Sequence, residues 1–103
     1  MEVKYKKSSD KLFIYLVGEL DECVAVKAKS VLDEIIEQNL NVKSTIIDLS
    51  GLSFMDSTGI GMLLGRYNKF TKNDISIFIK NPTSYVNRIF EMTGIYQIIP
   101  KVC

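Results

Sequence analysis

Stretches with the apolar spacing of β-strands alternate along this chain with stretches that have the spacing of α-helices. Two strand-type segments come first, and helix-type and strand-type segments then take turns. Helices that connect neighbouring strands form crossover connections, and crossovers join parallel strands. The pattern therefore predicts an α/β fold of order β-β-α-β-α-β-α-β, in which helices pack against a mixed, mostly parallel central sheet.

Five segments are typical of strands. Residues 3–7 alternate weakly and carry lysines, as edge strands do. Residues 12–17 are an unbroken run of aliphatic and aromatic side chains, which predicts a central strand buried on both faces. The remaining strands are predicted at residues 45–49, 75–79 and 97–99.

Three segments have the spacing of helices. The first has apolar residues three and four apart from residue 25 onwards and ends near Asn39. The second is predicted over residues 57–71. The third begins at Asn81 and Pro82, a favoured pair for an N-cap and a first turn, and ends at Gly94, a favoured C-cap.

The chain has 103 residues, which predicts one domain over residues 1–103. Its 13 basic and 12 acidic side chains leave a net charge of +1, which argues against nucleic-acid binding. It contains no histidine, so Ser-His-Asp and Cys-His pairs and histidine metal ligands are excluded. No metal site is predicted.

Apolar runs fall far short of the ~20 residues that span a bilayer, and no membrane partner is predicted. Cys23 and Cys103 lie far apart with no CxxC spacing, which favours a reduced pair in a cytoplasmic protein over a disulfide. The glycines at 59, 61 and 65 resemble a dinucleotide fingerprint, but they follow the preceding strand by about ten residues, whereas the fingerprint lies at the strand end. No cofactor is predicted.

Two loops are expected to meet at one edge of the sheet. Parallel strands end at the same edge, so the loop with Glu19 and Asp21 should lie near the loop with Asp56 and Ser57. Ser57 would begin a helix, beside free N–H groups and the positive end of the helix dipole, where a phosphate can be accepted. The alternative is that Asp21 and Asp56 only cap their helices.

The glycines of the second helix suggest how its surface is used. Gly59 and Gly61 would leave the surface beside Ser57 open to the active site of another protein. Gly65 is expected to let the helix pack closely on the sheet. Arg66 is expected to extend its guanidinium to solvent rather than contact a partner.

Three segments match the motifs of a known family: LSFMDSTGIGMLLGRY at residues 52–67, GELD at 18–21 and FEMTGI at 90–95. They resemble the bacterial anti-sigma factor antagonists, which are STAS-domain proteins. The likeness is greatest to the sporulation branch, which antagonises the anti-sigma F factor. The alternatives are a general stress-response antagonist and a STAS module that senses a nucleotide or another small ligand.

The resemblance implies a regulator and not an enzyme. The unphosphorylated protein would bind an anti-sigma factor that is also a serine kinase, and so release the sigma factor, here sporulation sigma factor F. Phosphorylation on Ser57 would abolish binding, and a serine phosphatase would restore it. The implied partner-binding residues are Glu19, Asp21, Asp56, Ser57, Thr58, Gly59, Ile60 and Gly61.

Overall fold

The computed structural model describes residues 1–102, and Cys103 lies outside them. The elements in chain order are β1 (Glu2–Ser8), β2 (Lys11–Leu20), α1 (Glu22–Glu37), β3 (Ser44–Asp48), β4 (Leu52–Met55), α2 (Ser57–Lys72), β5 (Ser76–Lys80), α3 (Ser84–Thr93), a 3₁₀ turn (Ile95–Gln97) and β6 (Lys101–Val102). Within residues 1–102, no helix is long and apolar enough to cross a membrane.

The sheet has the strand order β1-β2-β3-β5-β6, and β4 pairs with the last part of β2. The β1–β2 pair is antiparallel, whereas every other pair is parallel. Three helices pack against this sheet around a common core. The predicted α/β fold with a mixed, mostly parallel sheet is therefore confirmed.

Strand β2 is not buried on both faces, contrary to the prediction. Leu12, Ile14 and Leu16 are completely buried, whereas Phe13 and Tyr15 on the other face remain partly exposed. The three crossovers run from β2 to β3, from β4 to β5 and from β5 to β6. All of them advance in one direction across the sheet. Right-handed crossovers of that kind place every helix on the same face. The opposite face of the sheet is left without a covering layer.

Three local predictions are wrong. The sequence predicts no strand at residues 52–55, but they form β4 alongside the last residues of β2. Helix α3 begins at Ser84 and not at Asn81, because Asn81 has a φ of +54° and Thr83 supplies the N-cap. Residues 95–97 form a 3₁₀ turn, so the last strand starts at Lys101.

The contact between α1 and α2 contains an ion-paired arginine. Arg66 is only 8% exposed, and its Nε lies 3.0 Å from Asp33 Oδ1, so the predicted solvent-exposed guanidinium is wrong. One turn further on, Lys69 Nζ lies 2.8 Å from Glu37 Oε1. This contact with Glu37 raises the pKa of Lys69, so the charged pair links the two helices at neutral pH.

Candidate functional site

The N-termini of α1 and α2 lie side by side because the strands that precede them are paired. Strand β4 runs parallel to the end of β2, with Leu20 opposite Met55. The pairing continues into the loop, where Asp56 N donates to Leu20 O over 3.3 Å. The predicted convergence of the two loops at one sheet edge is confirmed.

Both loop aspartates act as helix N-caps. Asp21 Oδ1 accepts from the N–H groups of Cys23 and Val24, at 3.0 and 3.2 Å. Asp56 Oδ1 accepts from Gly59 N at 3.0 Å, and its second oxygen accepts from Glu22 N at 3.2 Å. Asp56 therefore caps α2 and also holds the first residue of α1.

Ser57 is the first residue of α2, and it is exposed. The first backbone hydrogen bond of this helix runs from Ile60 N to Asp56 O at 3.1 Å. The N–H groups of Ser57 and Thr58 come before that bond, where a helix offers no internal acceptor. A hydroxyl at this position lies beside backbone donors and the positive end of the helix dipole.

The surface around Ser57 is acidic. Glu19 and Glu22 are exposed, and the capping residues Asp21 and Asp56 are partly exposed. Among the residues that the structure describes, none of these four carboxylates belongs to an ion pair. The same residues contain no group of three or more His, Cys, Asp or Glu arranged to hold a metal ion. The edge is therefore a negatively charged surface.

The two glycines predicted to open the surface beside Ser57 lie in different surroundings. Gly59 is buried, and a Cβ there would lie 2.8 Å from Met55 Cγ and 3.0 Å from Leu20 O. Its missing side chain serves packing inside the protein, so the prediction that it opens the surface to a partner is wrong. Gly61 is exposed, and a Cβ there would meet no atom within 4 Å, as an open surface requires.

A groove of about 310 Å³ between α1 and α2 begins beside this edge, and the sequence analysis missed it. Its lining includes Val26 and Lys29 from α1 and Thr58, Gly61 and Gly65 from α2. The prediction that Gly65 brings the helix close to the sheet is wrong, since a Cβ there would meet nothing within 4 Å. Val26 is 76% exposed. The sequence did contain a signal for the groove, because Val26 is an apolar residue outside the i, i+3, i+4 pattern of α1.

Replacing Asp56 with alanine is expected to destabilise the protein by about 1–2 kcal/mol, because α2 loses its N-cap and Glu22 N loses its acceptor. Urea unfolding followed by circular dichroism measures this change. Asp21→Ala is the matched control, since it removes a cap from α1 alone. A smaller effect for Asp56→Ala than for Asp21→Ala would contradict the linking role of Asp56.

The profile of the STAS domain matches residues 2–103. The chain belongs to the STAS-domain family. Its STAS domain is similar to the anti-sigma F factor antagonist of Paenibacillus polymyxa, with 27% identity over 100 residues that make up 97% of this chain and 85% of that protein. It is also similar to the anti-sigma-B factor antagonist of Listeria monocytogenes, with 29% identity over 96% of this chain and 84% of that one.

A solved structure has the same fold as this STAS domain. The anti-sigma factor antagonist SpoIIAA in its unphosphorylated form superposes with a TM-score of 0.79 at 25% identity. The match covers 99% of this chain and 89% of that one. All the segments described above therefore lie within the shared fold.

Proposed function

We propose that this STAS-domain protein is an anti-sigma factor antagonist whose binding is controlled by phosphorylation of Ser57. The observation that carries the proposal is the exposed hydroxyl of Ser57 at the start of α2, next to the fixed carboxylate of Asp56. The relatives are named as antagonists of anti-sigma factors, which supports the same activity here. By binding the anti-sigma factor, the protein would free a sigma factor in the cytoplasm.

The proposed partner-binding surface combines charge with a groove. Its acidic part contains Glu19, Asp21 and Asp56, which suit a basic surface on the anti-sigma factor. Its second part is the α1–α2 groove, where Val26 offers exposed apolar area beside Thr58 and Gly61. The remaining proposed contact residues from the start of α2 are Ser57, Gly59 and Ile60, of which the buried Gly59 acts through its backbone and packing.

Phosphorylation would act on this surface through charge. A phosphate adds about −1.5 to −2 charges at neutral pH and three acceptor oxygens. The N–H groups of Ser57 and Thr58 have no acceptor within their own helix, so they are available to donate to those oxygens. The added charge falls on a surface that is already acidic. A basic partner that fits the carboxylates and the small hydroxyl would not fit a bulkier and more strongly hydrated group.

The chemistry of the proposed switch would come from the partners. Asp21 and Asp56 accept backbone hydrogen bonds as helix caps, which leaves them poorly placed to act as a general base. The anti-sigma factor would supply the kinase activity, and a serine phosphatase would remove the phosphate. This protein would supply the hydroxyl and the shaped surface around it.

Two branches of the family fit the sequence. We propose sigma factor F of sporulation as the sigma factor that is released, and the general stress response is the alternative, favoured by the relative from Listeria monocytogenes. Binding of the purified protein to anti-sigma F and anti-sigma-B factors distinguishes the two. Titration calorimetry with ATP and GTP tests the remaining alternative of a nucleotide-sensing module.

Incubation with the cognate anti-sigma factor and ATP is expected to place one phosphate on Ser57, located by mass spectrometry of peptides. Ser57→Ala should remain unmodified, while Thr58→Val, which removes the neighbouring exposed hydroxyl, should still be phosphorylated on Ser57. A phosphate found on Thr58, or none at all, would show that the assignment of Ser57 is wrong.

A further inference from the structure

The face of the sheet opposite the helices carries its side chains in rows that cross the strands. Residues opposite one another in register share a face, and Lys6, Phe13, Ile46 and Phe78 are successive partners on β1, β2, β3 and β5. Phe13, Ile46 and Phe78 are each partly exposed. An apolar row therefore runs across the three central strands, with a lysine at one end.

The neighbouring row on the same face repeats this arrangement with more charge. Lys4, Tyr15, Asp48 and Lys80 are successive partners on the same four strands. Tyr15 is partly exposed and extends the apolar area along β2 from Phe13. We call the surface formed by these two rows the open sheet face.

Cations predominate around the apolar area. The charged side chains on this side of the sheet are Glu2, Lys4, Lys6, Lys11, Asp48 and Lys80, four basic against two acidic. Glu2 already lies 3.8 Å from Lys4, and Asp48 Oδ1 accepts from Ser50 N at 2.9 Å. Lys6 and Lys11 have no acidic neighbour among the described ion pairs, and Lys6 Nζ lies 5.7 Å from the centre of the Phe13 ring.

We propose that the open sheet face binds an acidic amphipathic helix of a partner protein. Sheet faces with aromatic and aliphatic side chains are normally covered by a second layer, and a helix is the commonest layer on a parallel sheet. The apolar row spans two interstrand spacings, roughly 10 Å, which matches the diameter of one helix. Acidic side chains at the margins of that helix would meet Lys4 and Lys6 along β1.

Two other occupants fit the surface less well. A second copy of this chain would bring together two surfaces that both carry a net positive charge, because a two-fold interface pairs identical surfaces. A single-stranded nucleic acid could stack on the aromatic rings, but Asp48 lies between Tyr15 and Lys80 in the row that the phosphates would follow. Acidic side chains on a helix can be placed to avoid Asp48, whereas a regular phosphate backbone cannot.

This surface is separate from the Ser57 edge. Helix α2 packs on the covered face of the sheet, so an occupant of the open sheet face would leave Ser57 accessible. The proposal is therefore independent of the proposed regulation by phosphorylation, and either one can fail alone.

The test uses the full chain, labelled with ¹⁵N, and two synthetic helical peptides about five turns long. Both peptides have leucine at spacings of three and four, and the flanking residues are glutamate in one and lysine in the other. We expect saturable binding of the glutamate peptide, with amide shifts concentrated in β2, β3 and β5. The lysine peptide should bind at least about tenfold more weakly.

Charge reversal on the protein provides the matched control. Lys4→Glu combined with Lys6→Glu should weaken binding of the glutamate peptide by at least about tenfold, whereas Lys27→Glu on α1 combined with Lys72→Glu on α2 should leave it unchanged. The proposal is overturned if the glutamate peptide fails to saturate, if its shifts lie in the helices, or if both double variants behave alike. Tighter binding of a short oligothymidylate would identify a nucleic-acid surface instead, and sedimentation as a dimer that Lys4→Glu and Lys6→Glu alter would identify a second copy.

Discussion

The form phosphorylated on Ser57 is expected to bind the anti-sigma factor at least about 100-fold more weakly than the unmodified protein. Taking a hydrated phosphate out of water in an interface shaped around a hydroxyl costs several kcal/mol unless it gains new partners, and ~3 kcal/mol corresponds to this factor. The phosphate would join Glu19, Asp21 and Asp56 on one exposed edge. An anti-sigma factor whose surface is complementary to the three carboxylates would then contact an edge of greater charge and volume. Titration calorimetry with the two purified forms measures the difference.

Two variants separate the effect of charge from the loss of the hydroxyl. Ser57→Ala should bind within about threefold of the unmodified protein, because a small neutral side chain leaves the acidic edge unchanged. Ser57→Asp should weaken binding by about tenfold, since it adds one charge on a shorter side chain. Equal affinities for the phosphorylated and unmodified forms would contradict control by charge at this edge.

Because of its position, the phosphate would disturb little of the fold. Its oxygens would lie beside the N–H groups of Ser57 and Thr58, which precede the first backbone bond of α2. The cap from Asp56 to Gly59 and its link to Glu22 use other donors, so they need not break. The switch would therefore lie in the surface that the partner meets and not in a rearrangement of the helices.

The sequence was a good guide wherever a local rule and the chain direction agreed. Asp56 is a favoured N-cap, and α2 begins directly after it, at the predicted Ser57. Gly94 has a φ of +75° at the end of α3, as its residue type predicts. The meeting of the Asp21 and Asp56 loops followed from topology alone, because parallel strands end at one edge.

The errors arose where a decision depended on tertiary structure. The run at residues 12–17 is apolar on both faces, and only the one-sided arrangement of the helices leaves Phe13 and Tyr15 partly exposed. Strand β4 has four residues, too few to show alternation, and it depends on pairing with the end of β2. Asn81 has the residue type of an N-cap, but its φ is positive. Helix α3 therefore begins after Thr83, which supplies the N-cap.

The glycines of α2 illustrate the same limit. The sequence predicts that Gly59 faces the surface and that Gly65 faces the sheet. In the structure Gly59 is buried, whereas a Cβ at Gly65 would meet no atom within 4 Å. Six residues separate them, which in a helix is a rotation of roughly 600°, or 240° beyond one full turn. They cannot share a face, but the sequence alone did not reveal which of the two faces the core.

Replacing Gly59 with alanine is expected to destabilise the protein by about 1–3 kcal/mol, although alanine favours helices by about 1 kcal/mol. The added Cβ would lie 2.8 Å from Met55 Cγ and 3.0 Å from Leu20 O. The methionine side chain can move, but the carbonyl belongs to β2, so the first turn of α2 would have to shift away from the sheet. Urea unfolding measures the change in the free energy of unfolding.

Gly65→Ala is the matched control, because it makes the same chemical change in the same helix. A Cβ at Gly65 meets nothing within 4 Å, so this variant should be stabilised by about 0.5–1 kcal/mol. Similar stabilisation of both variants would mean that the first turn of α2 can move away from Leu20 at little cost in free energy. In that case the place of Ser57 would depend on the Asp56 cap alone, and the contact at Gly59 would have no part in presenting the hydroxyl.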